Sequence, residues 1–246
     1  MKLGEIYNLL NSVSPFELQE KWDNCGINVG DINQDVERIY VTLDFDAEYL
    51  KNVLPKSLII THHPLLISPI KSFNFEDRGS KLLKELIKKD IAVIAMHTNM
   101  DKSHLNDYVV SKVFGFKIES KKDFIAYVSV EKNFDDLVLI MKNKLGLENI
   151  KTVKTKDYIN TLAITTGSGM SLLGDVKADC FLTGDIKYHD ALEAKDRGIS
   201  LIDIGHYESE RYFCDLLESI LVNDLKINEI MGIISKKDFK NPFEYN

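Results

Sequence analysis

Ser57-Leu58-Ile59-Ile60-Thr61-His62-His63-Pro64 decides the fold and introduces the chemistry. Its apolar part is short, rich in Ile and Leu and bounded by turn residues, as expected of a strand buried in a parallel sheet. Two adjacent histidines follow it. On a regular strand their side chains would point to opposite faces, so a shared site requires the strand to end there. Pro64 supports that ending, because it lacks an N–H and restricts the residue before it. The competing reading is an unremarkable pair, one histidine buried and one exposed.

Outward from this stretch the pattern recurs twice. The apolar run 91–95 leads to His97, with Asp101 four residues on, and the run 199–204 leads to His206, with Glu210 four residues on. A carboxylate has two oxygens, so Asp101 can bridge two ions while His97 ligates or supports from behind; alternatively Asp101 is a helix N-cap. His206 and Glu210 share a face at a helix start, either as a two-ligand clamp or as a surface pair favoured by the helix dipole. Chance produces one such arrangement easily and three less so. Nitrogen and oxygen donors without cysteine suit zinc, iron, manganese, cobalt or nickel. A pair of such ions about 3.5–4 Å apart acts on water as nucleophile and on a substrate oxygen as Lewis acid.

Strands and helices alternate along the chain. Leu3, Ile6, Leu9, Leu10 and Val13 repeat at helical spacing up to Pro15, and 38–45 alternates as a strand. Helices are expected at 47–53, 81–89 and 105–114. The alternation predicts an α/β fold with a largely parallel sheet, whose ligands bind at the carboxyl ends of strands. From about Lys121 the rhythm changes. Strands at 124–130, 150–155, 162–165 and 180–182 accompany helices at 135–145 and 189–197, and a helix at 209–222 and a strand at 227–234 close the chain. The polar stretch 119–123 suggests a boundary, giving a first α/β domain of 1–120 and 200–246 that carries the metal ligands. A smaller second α/β domain then covers 121–199.

Composition excludes several classes. The chain of 246 residues has 44% hydrophobic and 28% charged residues, ordinary for a globular protein, and a net charge of −7 that disfavours a nucleic-acid-coating surface. Cys25, Cys180 and Cys214 form no C-x-x-C pair, so neither a disulfide framework nor a thiolate zinc site is expected. Residues 1–6 lack the charged-then-apolar build of a secretory signal, and no apolar run approaches a membrane span. A cytoplasmic protein without membrane partners is the expectation. Gly167-Ser168-Gly169 can present backbone N–H groups to an anion or simply turn the chain tightly. His189, clustered in sequence with Asp185 and Asp190, is a candidate general acid or base or a satisfied histidine at a helix start.

Taken in order, Trp22-Asp23-Asn24-Cys25-Gly26-Ile27, Thr61-His62-His63-Pro64-Leu65, His97-Thr98-Asn99-Met100-Asp101, Thr183-Gly184-Asp185-Ile186-Lys187-Tyr188-His189, Gly205-His206-Tyr207-Glu208-Ser209-Glu210 and Asn241-Pro242-Phe243 form a specific set. They span nearly the whole chain, which resembles the GTP cyclohydrolase 1 type 2 homologues, the NGG-interacting-factor-three-like family. The resemblance implies two α/β domains with a dinuclear metal site in the cleft between them. It implies His62, His63, Asp101, His206 and Glu210 as ligands, Glu210 bridging, with His97 supporting them and His189 facing the cleft. It also implies the short form of the family and a homohexamer. Tyr188 stands where many members carry a second histidine, and Asp185 where many carry glutamate.

The leading expectation is a metal-dependent hydrolase resembling GTP cyclohydrolase. Water activated by two divalent ions attacks the imidazole carbon of a purine nucleotide, opening the ring and releasing formate, with His189 or Glu210 moving protons. Two alternatives stand beside it: a hydrolase of another nucleotide or phosphoester, and a non-enzymatic metal-binding hexameric scaffold or nucleic-acid-associated regulator. A purely structural metal ranks last, since structural sites are usually closed and tetrahedral.

Overall fold

The computed structural model describes residues 1–227, 232–235 and 241–243, and the chain divides into two compact units. The first unit is Met1–Met100 with Phe213–Asn246, the second Asp101–Tyr212.

Among the described residues, the first unit holds a sheet of five strands: β1 (Gly26–Val29), β2 (Arg38–Thr42), β3 (Ser57–Thr61), β4 (Ala92–Ala95) and β11 (Gly232–Ser235), in the order β1-β4-β3-β2-β11. β4, β3, β2 and β11 run parallel, and β1 closes one edge antiparallel to β4. Every residue of β3 and β4 is buried, as the unbroken apolar runs require. Helices α1 (Leu3–Val13), α2 (Ala47–Lys51) and α3 (Arg78–Lys88) accompany this sheet. α1 buries Leu3, Ile6 and Leu10 at the spacing read from the sequence, and Leu82 and Leu86 of α3 pack with Tyr40, Ile59 and Val93. Each fully buried Leu or Ile contributes about 1.5–3 kcal/mol. Of the strand expected at 227–234, positions 228–231 lie outside the described residues.

The second unit has its own sheet, in the order β5 (Ser120–Lys122), β6 (Ile125–Asn133), β8 (Tyr158–Ile164), β9 (Cys180–Thr183), β10 (Ser200–Asp203) and β7 (Thr152–Val153). It is mixed rather than largely parallel: β8, β9 and β10 are parallel, whereas β5–β6, β6–β8 and β10–β7 are antiparallel. The hairpin from β5 to β6 turns through Asp123, at φ +50°, and an antiparallel hairpin needs no crossover helix. Phe181, Leu201, Ala163, Ile125 and Leu173 form the core.

The expected division at 120/121 and 199/200 moves to 100/101 and 212/213. β10 pairs in parallel with β9, Ser200 opposite Cys180 through Asp203 opposite Thr183, so the third strand that leads to a histidine belongs to the second sheet. Asn106 fixes the helical segment after Asp101 to the same unit: its Nδ2 donates to Phe124 O (2.9 Å) and Ile164 O (3.1 Å), and its Oδ1 accepts from Thr166 N–H (3.1 Å). Asp101, His206 and Glu210 therefore belong to the second unit, not the first. The single helix expected at 209–222 is also broken. His206–Glu210 ends the second unit's helices, and Phe213–Ser219 opens the returning segment of the first. No helix among the described residues is long and apolar enough to cross a membrane.

Candidate metal centre

In the first unit, β3 and β4 end side by side, with Thr61 opposite Ala95. Beyond β3 the strand pattern stops. The N–H groups of both His62 and His63 reach the same acceptor, Leu43 O, at 3.2 and 3.3 Å. Successive N–H groups of a strand point to opposite sides, so this shared acceptor marks the end that the sequence required. His62, His63 and His97 consequently cluster: their ring centroids lie 5.0, 5.1 and 5.3 Å apart pairwise, and one nitrogen from each lies within 4.8 Å of the others. His62 is fully buried and its ring packs on Phe213 at 5.0 Å.

Each imidazole is oriented through Nδ1. His62 donates to Met96 O (2.9 Å), His63 to Asp44 Oδ2 (2.7 Å) and His97 to Asp23 Oδ1 (2.9 Å). This directs Nε2 as the lone-pair nitrogen, the arrangement typical of metal-ligating histidine. Asp23 is gripped further by Thr98 N–H (3.1 Å), the Thr98 hydroxyl and Cys25 Sγ (3.1 Å). Burial raises its carboxyl, but the hydrogen bonds from His97, Thr98 and Cys25 outweigh burial and hold it well below the usual carboxylate range. Trp22 meets the His97 ring edge-on at 5.9 Å.

In the second unit, Gly205 (φ +73°) turns the chain out of β10 into the short helix His206–Glu210. His206 Nδ1 donates to Asp185 Oδ2 (2.6 Å), and its Nε2 stands 2.9 Å from Glu210 Oε2. In the neutral tautomer whose Nδ1–H donates to Asp185, Nε2 turns an acceptor lone pair toward the Glu210 carboxylate oxygen, whereas a charged ring would donate to both carboxylates. Two acceptors at that distance need a proton or a cation between them. Glu210 is buried (side chain 4% exposed), where a carboxylate requires a compensating partner. Nitrogen and oxygen donors arranged in this way fit a divalent cation.

Asp101 lies within helical backbone, Thr98–Met100 preceding it, so it is not an N-cap. It opens a wide-turned π segment, Asp101–Leu105, of the kind often found at functional sites. His189 is exposed on the first turn of the helix Tyr188–Asp196, its ring 5.2 Å from that of Tyr188. Asp185, its neighbour in sequence, holds His206 instead. The sequence reading missed Asp44 and Asp23 as histidine-orienting carboxylates. Asp44 follows the strand that pairs with β3, and Asp23 sits in the Trp22-to-Gly26 loop, so only the strand order reveals their partners.

Two α/β units carrying histidine–carboxylate clusters at strand ends define a class of candidate metal-binding α/β proteins. The family model of DUF34/NIF3 (NGG1p interacting factor 3) matches residues 1–242, and the chain belongs to that family. A GTP cyclohydrolase 1 type 2 homolog of Campylobacter jejuni is 46% identical over 246 residues, covering 100% of both chains. A GTP cyclohydrolase 1 type 2 of Helicobacter pylori is 40% identical, over 98% of this chain and 97% of its own. Among solved structures, Staphylococcus aureus hypothetical protein SA1388 superposes with a TM-score of 0.87 at 28% identity, over 100% of this chain and 99% of its own. Reduced HcgD from Methanocaldococcus jannaschii does so with 0.82 at 28% identity, over 97% and 98%.

Proposed function

We propose that the chain is a metal-dependent hydrolase acting on a purine nucleotide, with His62, His63, Asp101, His206 and Glu210 holding two divalent ions. The observation that carries this reading is the close approach of His206 Nε2 to the buried Glu210 Oε2, 2.9 Å, on a ring whose Nδ1 meets Asp185. The oriented trio of His62, His63 and His97 supports it, with His97 either ligating or bracing its neighbours. The name of the 40% identical Helicobacter pylori relative supports the nucleotide as substrate class.

Bound ions would supply Lewis acidity and a water made acidic enough to act as nucleophile near neutral pH. The chain's residues divide the remaining work. Asp44, Asp23 and Asp185 keep the imidazoles aimed, and Glu210 takes the role of accepting a proton from the attacking water. His189, exposed and imidazole-bearing, moves a proton to or from the opening ring. Assembly as a homohexamer in the cytoplasm belongs to the same proposal.

The test pairs metal analysis with turnover. Wild type and Asp101→Ala are loaded with zinc, manganese, iron, cobalt or nickel and assayed with GTP for formate and for pterin fluorescence. Wild type should release formate with at least one metal, and Asp101→Ala should not. Two bound ions without turnover on GTP or on other nucleotides and phosphoesters would contradict the hydrolase and leave a metal-binding scaffold.

A further inference from the structure

The Gly167-Ser168-Gly169 turn reads from sequence as an anion cradle or a tight turn, and the structure gives it another task. Two of its three amides are spent within its own unit. Gly167 N–H donates to Ser209 Oγ (3.0 Å) and Gly169 N–H to Thr183 Oγ1 (2.7 Å). Gly167 O in turn accepts from Gly184 N–H (2.7 Å) and from the Thr183 hydroxyl (3.0 Å). Those two N–H groups are therefore not on offer to an external anion. What lies against the turn is the Glu210 carboxylate: a Cβ built on Gly167 would stand 1.9 Å from Glu210 Oε1 and 2.9 Å from its Cδ. Gly184 fills the matching place under the helix start, where a Cβ would stand 2.6 Å from His206 N and 2.7 Å from Gly205 C. The backbone at Gly167 is left-handed (φ +64°), so a side chain there is opposed by conformation and by contact.

We infer that Gly167 is a positioning residue for metal binding: its bare Cα lets the Glu210 carboxylate rest on the turn, with Oε2 facing His206 Nε2. This rests on the reading of Glu210 as a ligand. The bond from Gly167 N–H to Ser209, the residue before Glu210, fixes the same helical rung from the backbone side. A methyl at position 167 must push the carboxylate off the turn and spoil its alignment with His206.

The conformational and contact effects are separable. Gly146 is also left-handed (φ +71°), yet a Cβ there meets no atom within 4 Å. Gly146→Ala therefore imposes comparable backbone strain without the collision. Full-length wild type, Gly167→Ala, Gly146→Ala, Glu210→Ala, Glu210→Asp and the double variant Gly167→Ala/Glu210→Asp are titrated calorimetrically with Mn²⁺ and Zn²⁺ and melted by circular dichroism. Both glycine variants should melt earlier than wild type. Only Gly167→Ala should lose metal affinity, by about 10–100-fold, as displaced supports of ligands do. Aspartate is one methylene shorter and clears the added methyl, so the double variant should melt above Gly167→Ala and bind no worse than Glu210→Asp alone.

Wild-type affinity in Gly167→Ala, or a loss matched by Gly146→Ala, overturns the positioning role while wild-type uptake and its loss in Glu210→Ala leave the ligand reading standing. If Gly167→Ala fails to fold, the double variant decides: unfolding as the single variant does rules out the collision as cause. No uptake by wild type overturns the ligand reading, and the positioning role with it.

Discussion

His63 and His206 show how this chain prepares an imidazole. Each donates its Nδ1–H to a carboxylate, Asp44 at 2.7 Å and Asp185 at 2.6 Å, and so presents the Nε2 lone pair. Asp44→Asn and Asp185→Asn keep size, and asparagine tolerates the left-handed backbone of Asp185 (φ +57°). Each should weaken metal binding by about 10-fold or more with little change in melting temperature, as titration calorimetry beside thermal melts would show; unchanged affinity in both would remove the orienting role. Cys25 makes the contrasting case of a residue that looks reactive and is not. Burial, reinforced by Asp23 and opposed by the backbone N–H groups of Asn99 and His97, pushes its thiol up to about 12. Iodoacetamide at pH 8 should therefore label native Cys25 far more slowly than the unfolded chain, and fast labelling, located by mass spectrometry, would contradict that environment. The histidines themselves were legible in the sequence because they end apolar runs. Asp23 and Asp44 were not, since their meaning depends on which strand lies beside which.

At the scale of elements, the apolar runs of β3, β4, β9 and β10 and the spacing of Leu3, Ile6 and Leu10 were enough to draw the α/β alternation. What composition could not assign was sheet membership. β10 is as fully buried as β4, so burial alone does not say that it pairs with β9 rather than beside β3. The break between His206–Glu210 and Phe213–Ser219 was hidden because no glycine or proline between 209 and 222 marks it. Asp179 tests the second sheet's construction. It accepts from Asn160 N–H (3.0 Å) and Thr161 N–H (3.2 Å) and pairs with Lys156, tying the starts of β8 and β9 together. Burial raises its carboxyl, but Lys156 and the two backbone donors prevail and lower it below the ordinary 3.8. A depressed carboxylate stabilises the fold above its unfolded value and loses that contribution as pH falls through its folded value. Asp179→Ala should thus cost about 1.5–3 kcal/mol at pH 7. The gap to wild type should close in the acid range below about 3.8. Urea melts across pH measure this, and a gap that stays constant would contradict it.

For the whole molecule, the sequence showed two α/β units and missed where the chain changes from one to the other. The polar stretch 119–123 looks like a linker but forms the β5–β6 hairpin, and the real crossings, 100/101 and 212/213, lie in or beside helices that carry no linker composition. The consequence is that the proposed ligand set is drawn from both units, His62 and His63 from one and Asp101, His206 and Glu210 from the other. The most direct measurement is the metal content of the loaded wild-type protein by plasma emission after exhaustive dialysis. The proposed ligand set should hold about two divalent ions per chain, and fewer than one ion per chain would contradict it.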